Sequence, residues 1–237
     1  MRNLLAGLIL TLLTSSGFAQ NVTTLYDGRL ENNPEPVSSS DVQLVRRNAL
    51  PAARRAWGSE CEEATDFIGT ASGSFTATGK AQRIVLYRYC EMGHAFSNNG
   101  LVVIEGGRVV RNIVYNGGGE NTIVSLPDIN QNGISEVLLA GGSTNQGYTG
   151  SVISILELTS SGALEFGDAD VYEDNCGAVE RCKMTAYKVT AKPGAKPIYY
   201  RETFQKRGGK WQSAGAAKVL KLRESYRSPK SEFRILK

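Results

Sequence analysis

Histidine occurs once in this chain of 237 residues, as His94, and that scarcity removes whole classes of chemistry. A serine or cysteine triad needs a histidine base, so any such site would depend on this one side chain, and no G-x-S-x-G elbow presents a serine. A histidine-rich zinc site is excluded for the same reason, and no C-x-x-C pair offers thiolates instead. Gly117-Gly118-Gly119 lacks the following Lys-Ser/Thr of a phosphate-binding loop and reads as a turn before a strand. The net charge is only +4, with basic residues scattered along the chain and no aromatic-interleaved basic patch, so nucleic acid is not an expected partner. The one concentrated basic region is Arg223 to Lys237, a tail that solvent or an anionic surface would accommodate.

The N-terminus reads as a secretory signal peptide over residues 1–19. Arg2 supplies the positive start, Leu4 to Leu13 is too short to span a bilayer, and Gly17-Phe18-Ala19 offers a cleavage site before Gln20. No later run is long and apolar enough for a transmembrane helix, so an exported protein, periplasmic or extracellular, is expected. In that compartment Cys61, Cys90, Cys176 and Cys182 are expected in disulfides. Of the three possible connectivities, sequence order favours Cys61–Cys90 with Cys176–Cys182.

Residues 20–58 begin as a polar arm rich in Asn, Pro and Ser, followed by a short helix capped by Ser40 or Asp41, with Val42, Val45 and Ala49 on one face. Pro51 then breaks it or starts a second turn. Arg46, Arg47, Arg54 and Arg55 are expected on the outer face. Residues 59–222 read as one β-rich domain, with residues 223–237 as the basic tail. Short β-branched and aromatic segments alternate with Gly106-Gly107, Pro193-Gly194 and Gly208-Gly209 turns. Segments opening at Gly100 and Gly150, and a third from Lys183 to Phe204, repeat a strand–turn–strand design. The expected fold is all-β with a minor N-terminal helix. Its antiparallel, blade-like sheets would form a partial β-propeller, a sandwich or an irregular barrel.

The most specific stretch is Ser125 to Gly142. Asp128, Asn130, Asn132, Gly133 and Glu136 follow the spacing D-x-N-x-N-G-x-x-E. Oxygen-bearing side chains at positions 1, 3 and 5 can turn inward around one hard cation, with glycine at position 6 permitting the sharp bend. The carbonyl of Ile134 and the carboxylate of Glu136 would complete the cage. An EF-hand is excluded, because position 12 is Leu139 where that loop needs an acid. A metal-free alternative is a type I′ hairpin turn at Asn132-Gly133.

This acidic loop between two apolar strands resembles the FG-GAP and VCBS repeats of integrin-type β-propellers and secreted bacterial proteins, clearly over about residues 119–158. Their usual loop is D-x-D-x-D-G-x-x-D. The resemblance implies calcium as cofactor, with Asp128, Asn130, Asn132, Ile134 and Glu136 as its ligands. Asparagine at two acidic positions leaves a formal charge of about −2 instead of about −4, which would weaken binding toward ~10⁻⁴–10⁻³ M.

If the strands flanking this loop pair, loops 116–120 and 141–150 meet at the opposite end. They would present Asn116, Glu120, Ser143, Asn145, Gln146 and Tyr148 as a ligand-binding rim. The expected function is an exported, non-enzymatic binding module for a protein or glycan partner, with a structural calcium loop. The rival is a secreted carbohydrate-active hydrolase. It would pair carboxylates from Glu60, Glu62, Glu63 and Asp66 with those of Asp168, Asp170, Glu173 and Asp174.

Overall fold

A computed structural model describes residues 22–58, 65–91, 96–224 and 233–236. Two helices, α1 (Ser39–Asn48) and α2 (Leu50–Trp57), lie between strand β1 (Thr23–Asp27) and the rest. The strands that follow are β2 (Asp66–Gly73), β3 (Gln82–Glu91), β4 (Ser97–Glu105), β5 (Arg108–Gly117) and β6 (Glu120–Ser125). They continue with β7 (Val137–Asn145), β8 (Tyr148–Thr159), β9 (Gly162–Asp174), β10 (Met184–Lys192) and β11 (Ile198–Arg207). Three short strands close the order: β12 (Lys210–Ser213), β13 (Lys218–Leu220) and β14 (Arg234–Ile235).

All pairings are antiparallel, as the glycine-turn spacing predicts. A nine-stranded sheet runs β12-β11-β10-β9-β8-β7-β6, with β1 added to β10 and β13 to β11. A five-stranded sheet runs β14-β5-β4-β3-β2. Neither closes into a barrel. The hairpins expected as stacked blades are consecutive members of these two wide sheets.

Period-2 alternation explains the layers. On β3 and β4, Ile84, Leu86, Leu101 and Val103 face the core shared with the large sheet, where they meet Ile123, Val137 and Leu139. Their alternate neighbours Val85, Tyr87, Tyr89, Val102 and Ile104 face the helices and pack on Val45, Ala49, Leu50 and Ala53. A third core lies on the other face of the large sheet, around Leu138, Ala140, Ile153, Ile155 and Val189. Strand β8 serves two cores by the same alternation, with Ile153 and Ile155 facing the third core and Leu156 and Leu158 the first.

Several expectations need correction. The arm is not wholly extended coil: Leu25 is buried, and β1 pairs along β10. Ser38 caps α1 in place of Ser40 or Asp41, accepting the Asp41 N–H at 3.1 Å. Asp41 is buried instead, taking a two-pronged bond from Arg83 at 2.9 and 2.7 Å. The acidic run at 168–174 forms half of β9, because Ala169 and Val171 alternate with the acids and fill the third core. The basic tail returns to the fold: Phe233 stacks on Tyr115 at 4.7 Å, and Arg234–Ile235 pair with β5. The four helical arginines are exposed, as expected.

Candidate functional site

The loop from Leu126 to Glu136 joins the paired strands β6 and β7. Its ends are tied by the Leu126 N–H to the Glu136 carbonyl at 2.8 Å. It is pinned on both flanks: the Ser135 N–H donates to the Ser74 carbonyl, the Gly194 N–H donates to the Ile129 carbonyl, and Ile129 is buried in the third core. The simple I′ turn is not formed, because positive φ falls on Gln131 (60°) and Gly133 (90°) and not on Asn132. Glycine at position 6 does take the left-handed backbone its place requires.

Every side chain of the motif is engaged. Asp128 accepts the N–H groups of Asn132 at 2.9 Å and Gly133 at 2.7 Å. The amide oxygens of Asn130 and Asn132 accept the N–H groups of Asn132 and Ile134 at 3.1 and 2.9 Å. Glu136, 0% exposed, spends one oxygen on the Ile129 N–H and the other on the Asn130 N–H. Burial pushes its carboxyl up, the two backbone N–H groups pull it back, and the Asp128 charge adds to the rise. Burial, with the same carboxylate adding to it, pushes the Tyr199 hydroxyl up to about 12.

A sixth participant comes from β8. The Nδ2 groups of Asn130 and Asn132 both donate to Glu157 Oε2, each at 2.7 Å. This bond explains the asparagines, since aspartates at those positions would set carboxylate against carboxylate. Sequence reasoning missed Glu157, whose one signal is an acid inside the apolar run Ile-Leu-Glu-Leu. For calcium the fit is partial. Oxygens of Asp128 and Asn130 converge on the same Asn132 N–H, so they lie together with the Asn132 amide at one side of the loop. Glu136 is committed to backbone N–H groups, and no three acidic, Cys or His side chains among the described residues gather closely enough to hold a metal by themselves.

The six-residue rim is divided. Segment 141–150 is not a loop: β7 and β8 pair to Asn145↔Tyr148 around a two-residue turn at Gln146-Gly147, with φ of 50° and 82°. Asn145 and Gln146 therefore sit at an exposed hairpin tip. Tyr148 lines a separate hollow with Glu173 and Lys183. Glu120 is buried, holding Asn99 Nδ2 at 2.7 Å. Asn116 is exposed on β5, and of the six only Ser143 lines a groove between β6, β7 and β8.

That groove, about 310 Å³, is walled by Phe96, Ser143 and Val152 and floored by Gly118, Gly119, Gly141, Gly142 and Gly150. A Cβ on Gly141 would lie 2.6 Å from the Gly119 carbonyl oxygen, so the strands close up only with glycine there. Phe96 is 62% exposed. Elsewhere on β4, the buried side-chain oxygens of Asn98 and Asn99 have no donor among the described residues.

Some carboxylates of the hydrolase reading are engaged elsewhere, and others lie outside the described residues. Glu60, Glu62 and Glu63 lie outside the described residues, and Asp66 is exposed on β2 near Arg88. Asp170 pairs with Arg223 at 2.6 Å, and Asp174 caps the next turn through the Cys176 N–H at 2.7 Å. Cys176 and Cys182 form a disulfide across the β9–β10 turn. Cys90 is also disulfide-bonded, while Cys61, like His94, lies outside the described residues. No protein-family model, curated protein or solved structure matches the chain. The likeness to FG-GAP and VCBS loops therefore rests on the loop residues alone.

Proposed function

We propose that the protein is an exported, non-catalytic β-sheet module that binds a glycan in the groove beside Phe96. The leader-like first segment and the disulfide support export. The observation that carries the binding reading is the groove itself: an exposed aromatic ring over a glycine floor. A sugar ring suits this arrangement, because its apolar C–H face can lie on Phe96 and its hydroxyls can reach Ser143 and the exposed backbone of the glycine floor. Glycines let a flat ligand approach the backbone, and paired strands hold the walls without an entropic cost on binding. Calcium in this reading is a structural ion, held by Asp128, Asn130, Asn132 and the Ile134 carbonyl, and it neutralises the loop without entering any reaction.

The test is a glycan array followed by calorimetric titration of the best ligand against wild type and Phe96→Ala. Loss of a central aromatic contact costs about 2 kcal/mol or more, roughly a thirtyfold weakening. Release of reducing sugar from the bound glycan would replace this reading with the hydrolase. Equal affinity of wild type and Phe96→Ala would remove the groove as the site.

A further inference from the structure

The groove beside Phe96 does not end at β8. Gly150 lines it, and Gly150 also lines the hollow of about 410 Å³ that holds Tyr148, Glu173, Lys183 and Thr185. A Cβ on Gly150 would meet no atom within 4 Å, so open space stands where a side chain would divide the two hollows. Strand register puts them on one face of the large sheet. Ser143 stands opposite Gly150, Gly150 opposite Glu173, and Glu173 opposite Thr185. Residues paired directly across strands point the same way, so these four form one row at right angles to the strands. The row continues beyond the hollows, with Gln205 opposite Thr185 and Gln212 opposite Gln205. None of the six is buried.

An exposed aromatic ring borders each hollow. Tyr148 lies two residues before Gly150 on β8, hence on the same face. It is 53% exposed, against 62% for Phe96. Its hairpin is backed from behind: a Cβ on Gly147 would collide with the Gly177 backbone, and Gly177 belongs to the turn closed by the Cys176–Cys182 disulfide. The side chains of the row carry hydroxyl, carboxylate and amide groups. Lys183 is the one cation lining the second hollow, beside Glu173 and Asp174. That balance disfavours a polyanion. A surface of mixed donors and acceptors suits hydroxyl groups, which do both.

We propose that the ligand is a linear, uncharged oligosaccharide lying across the strands from Phe96 past Tyr148, with about four sugar units recognised. The proposal rests on the glycan reading of the groove and names the length and shape of that glycan. Neighbouring strands are about 4.8 Å apart, so Ser143 to Thr185 spans roughly 14 Å and the whole row to Gln212 roughly 24 Å. One pyranose unit advances a linear glycan by about one strand spacing. A single sugar fills the groove alone, whereas a short chain fills both hollows and meets Phe96 and Tyr148 with different units. The paired strands hold both hollows in place before the ligand arrives, so the longer contact is gained without ordering the protein.

The test is calorimetric titration with oligomers of one to six units of β-1,4-linked glucose, β-1,4-linked N-acetylglucosamine and α-1,4-linked glucose, run beside the glycan array. In the series that binds, affinity should rise about tenfold or more from dimer to tetramer. Phe96→Ala should weaken every length alike. Tyr148→Ala should remove most of the gain between dimer and tetramer, since loss of one aromatic contact costs roughly tenfold. Gly150→Val should weaken the tetramer more than the dimer, because its side chain enters the open space at the junction; valine suits a strand, and its Cβ meets no atom there. Matching circular dichroism melts would establish that the variants fold. Equal affinity for dimer and tetramer, still lost in Phe96→Ala, would overturn the extended site and leave the groove. So would a tetramer that binds Tyr148→Ala as tightly as wild type, or binding confined to single sugars or branched glycans of the array. No binding on the array or in any series would overturn the groove reading itself, and the extension with it.

Discussion

Replacing Asn130 and Asn132 together by aspartate should turn the loop into a calcium switch. In the wild type both amides donate to one oxygen of Glu157 at 2.7 Å. A hydrogen bond to a charged group contributes about 1.5–3 kcal/mol. Taking the low end for a partly exposed loop, losing both costs about 3 kcal/mol in chelator, before counting the repulsion among three carboxylates. For a domain of this size that is a fall of roughly 6–12 °C in melting temperature. Calcium should reverse the loss. In the wild type, ~2 mM calcium against a Kd of ~0.2 mM stabilises the fold by about 1.4 kcal/mol. With two more charges in the loop and a Kd near ~2 μM, the gain becomes about 4 kcal/mol. The assay is thermal unfolding followed by near-ultraviolet circular dichroism, with ~2 mM calcium or with excess chelator. Adding Glu157→Gln to the double variant should recover stability in chelator, because donor and acceptor have exchanged places. If the double variant melts with the wild type in chelator, the amides do not hold Glu157. If calcium moves neither protein, the loop is closed by hydrogen bonds alone and the cation plays no part.

Two further expectations concern stability. Arg83 beside Asp41 holds its carboxyl below the usual range, against the opposing effect of burial, and the Ser38 hydroxyl adds to the lowering. A carboxyl depressed on folding contributes stability that is present above its unfolded pKa near ~3.9 and is lost as pH falls through the folded value. Asp41→Asn should therefore be less stable than wild type at pH 7, and the gap should narrow under acid; a constant gap down to pH 2 in denaturant titrations would refute the pairing. Cys176–Cys182 spans six positions, so the serine double variant should lose about 2 kcal/mol by loop-closure entropy. Urea unfolding of the two proteins measures it, and unchanged midpoints would show that the link constrains nothing the fold does not already hold.

The sequence by itself determined what depends on neighbours along the chain. Alternating apolar residues between Gly106-Gly107 and Gly208-Gly209 turns specify hairpins, because period 2 and positive φ are local properties. The D-x-N-x-N-G spacing likewise specified a bent loop at Gly133, since each side chain there bonds backbone only a few residues on. Tertiary structure alone decided what stands opposite. Alternation shows that Asp168 and Ala169 face opposite ways, but not that a core awaits Ala169, so the strand β9 was not legible among its acids. Nothing local announces that Thr23–Asp27 will find an open edge on β10, or that a β8 glutamate will meet two asparagines from the β6–β7 loop. Local chemistry chooses each strand's conformation, and long-range pairing chooses its neighbours, which is where the loop's closing acid and the divided rim arise.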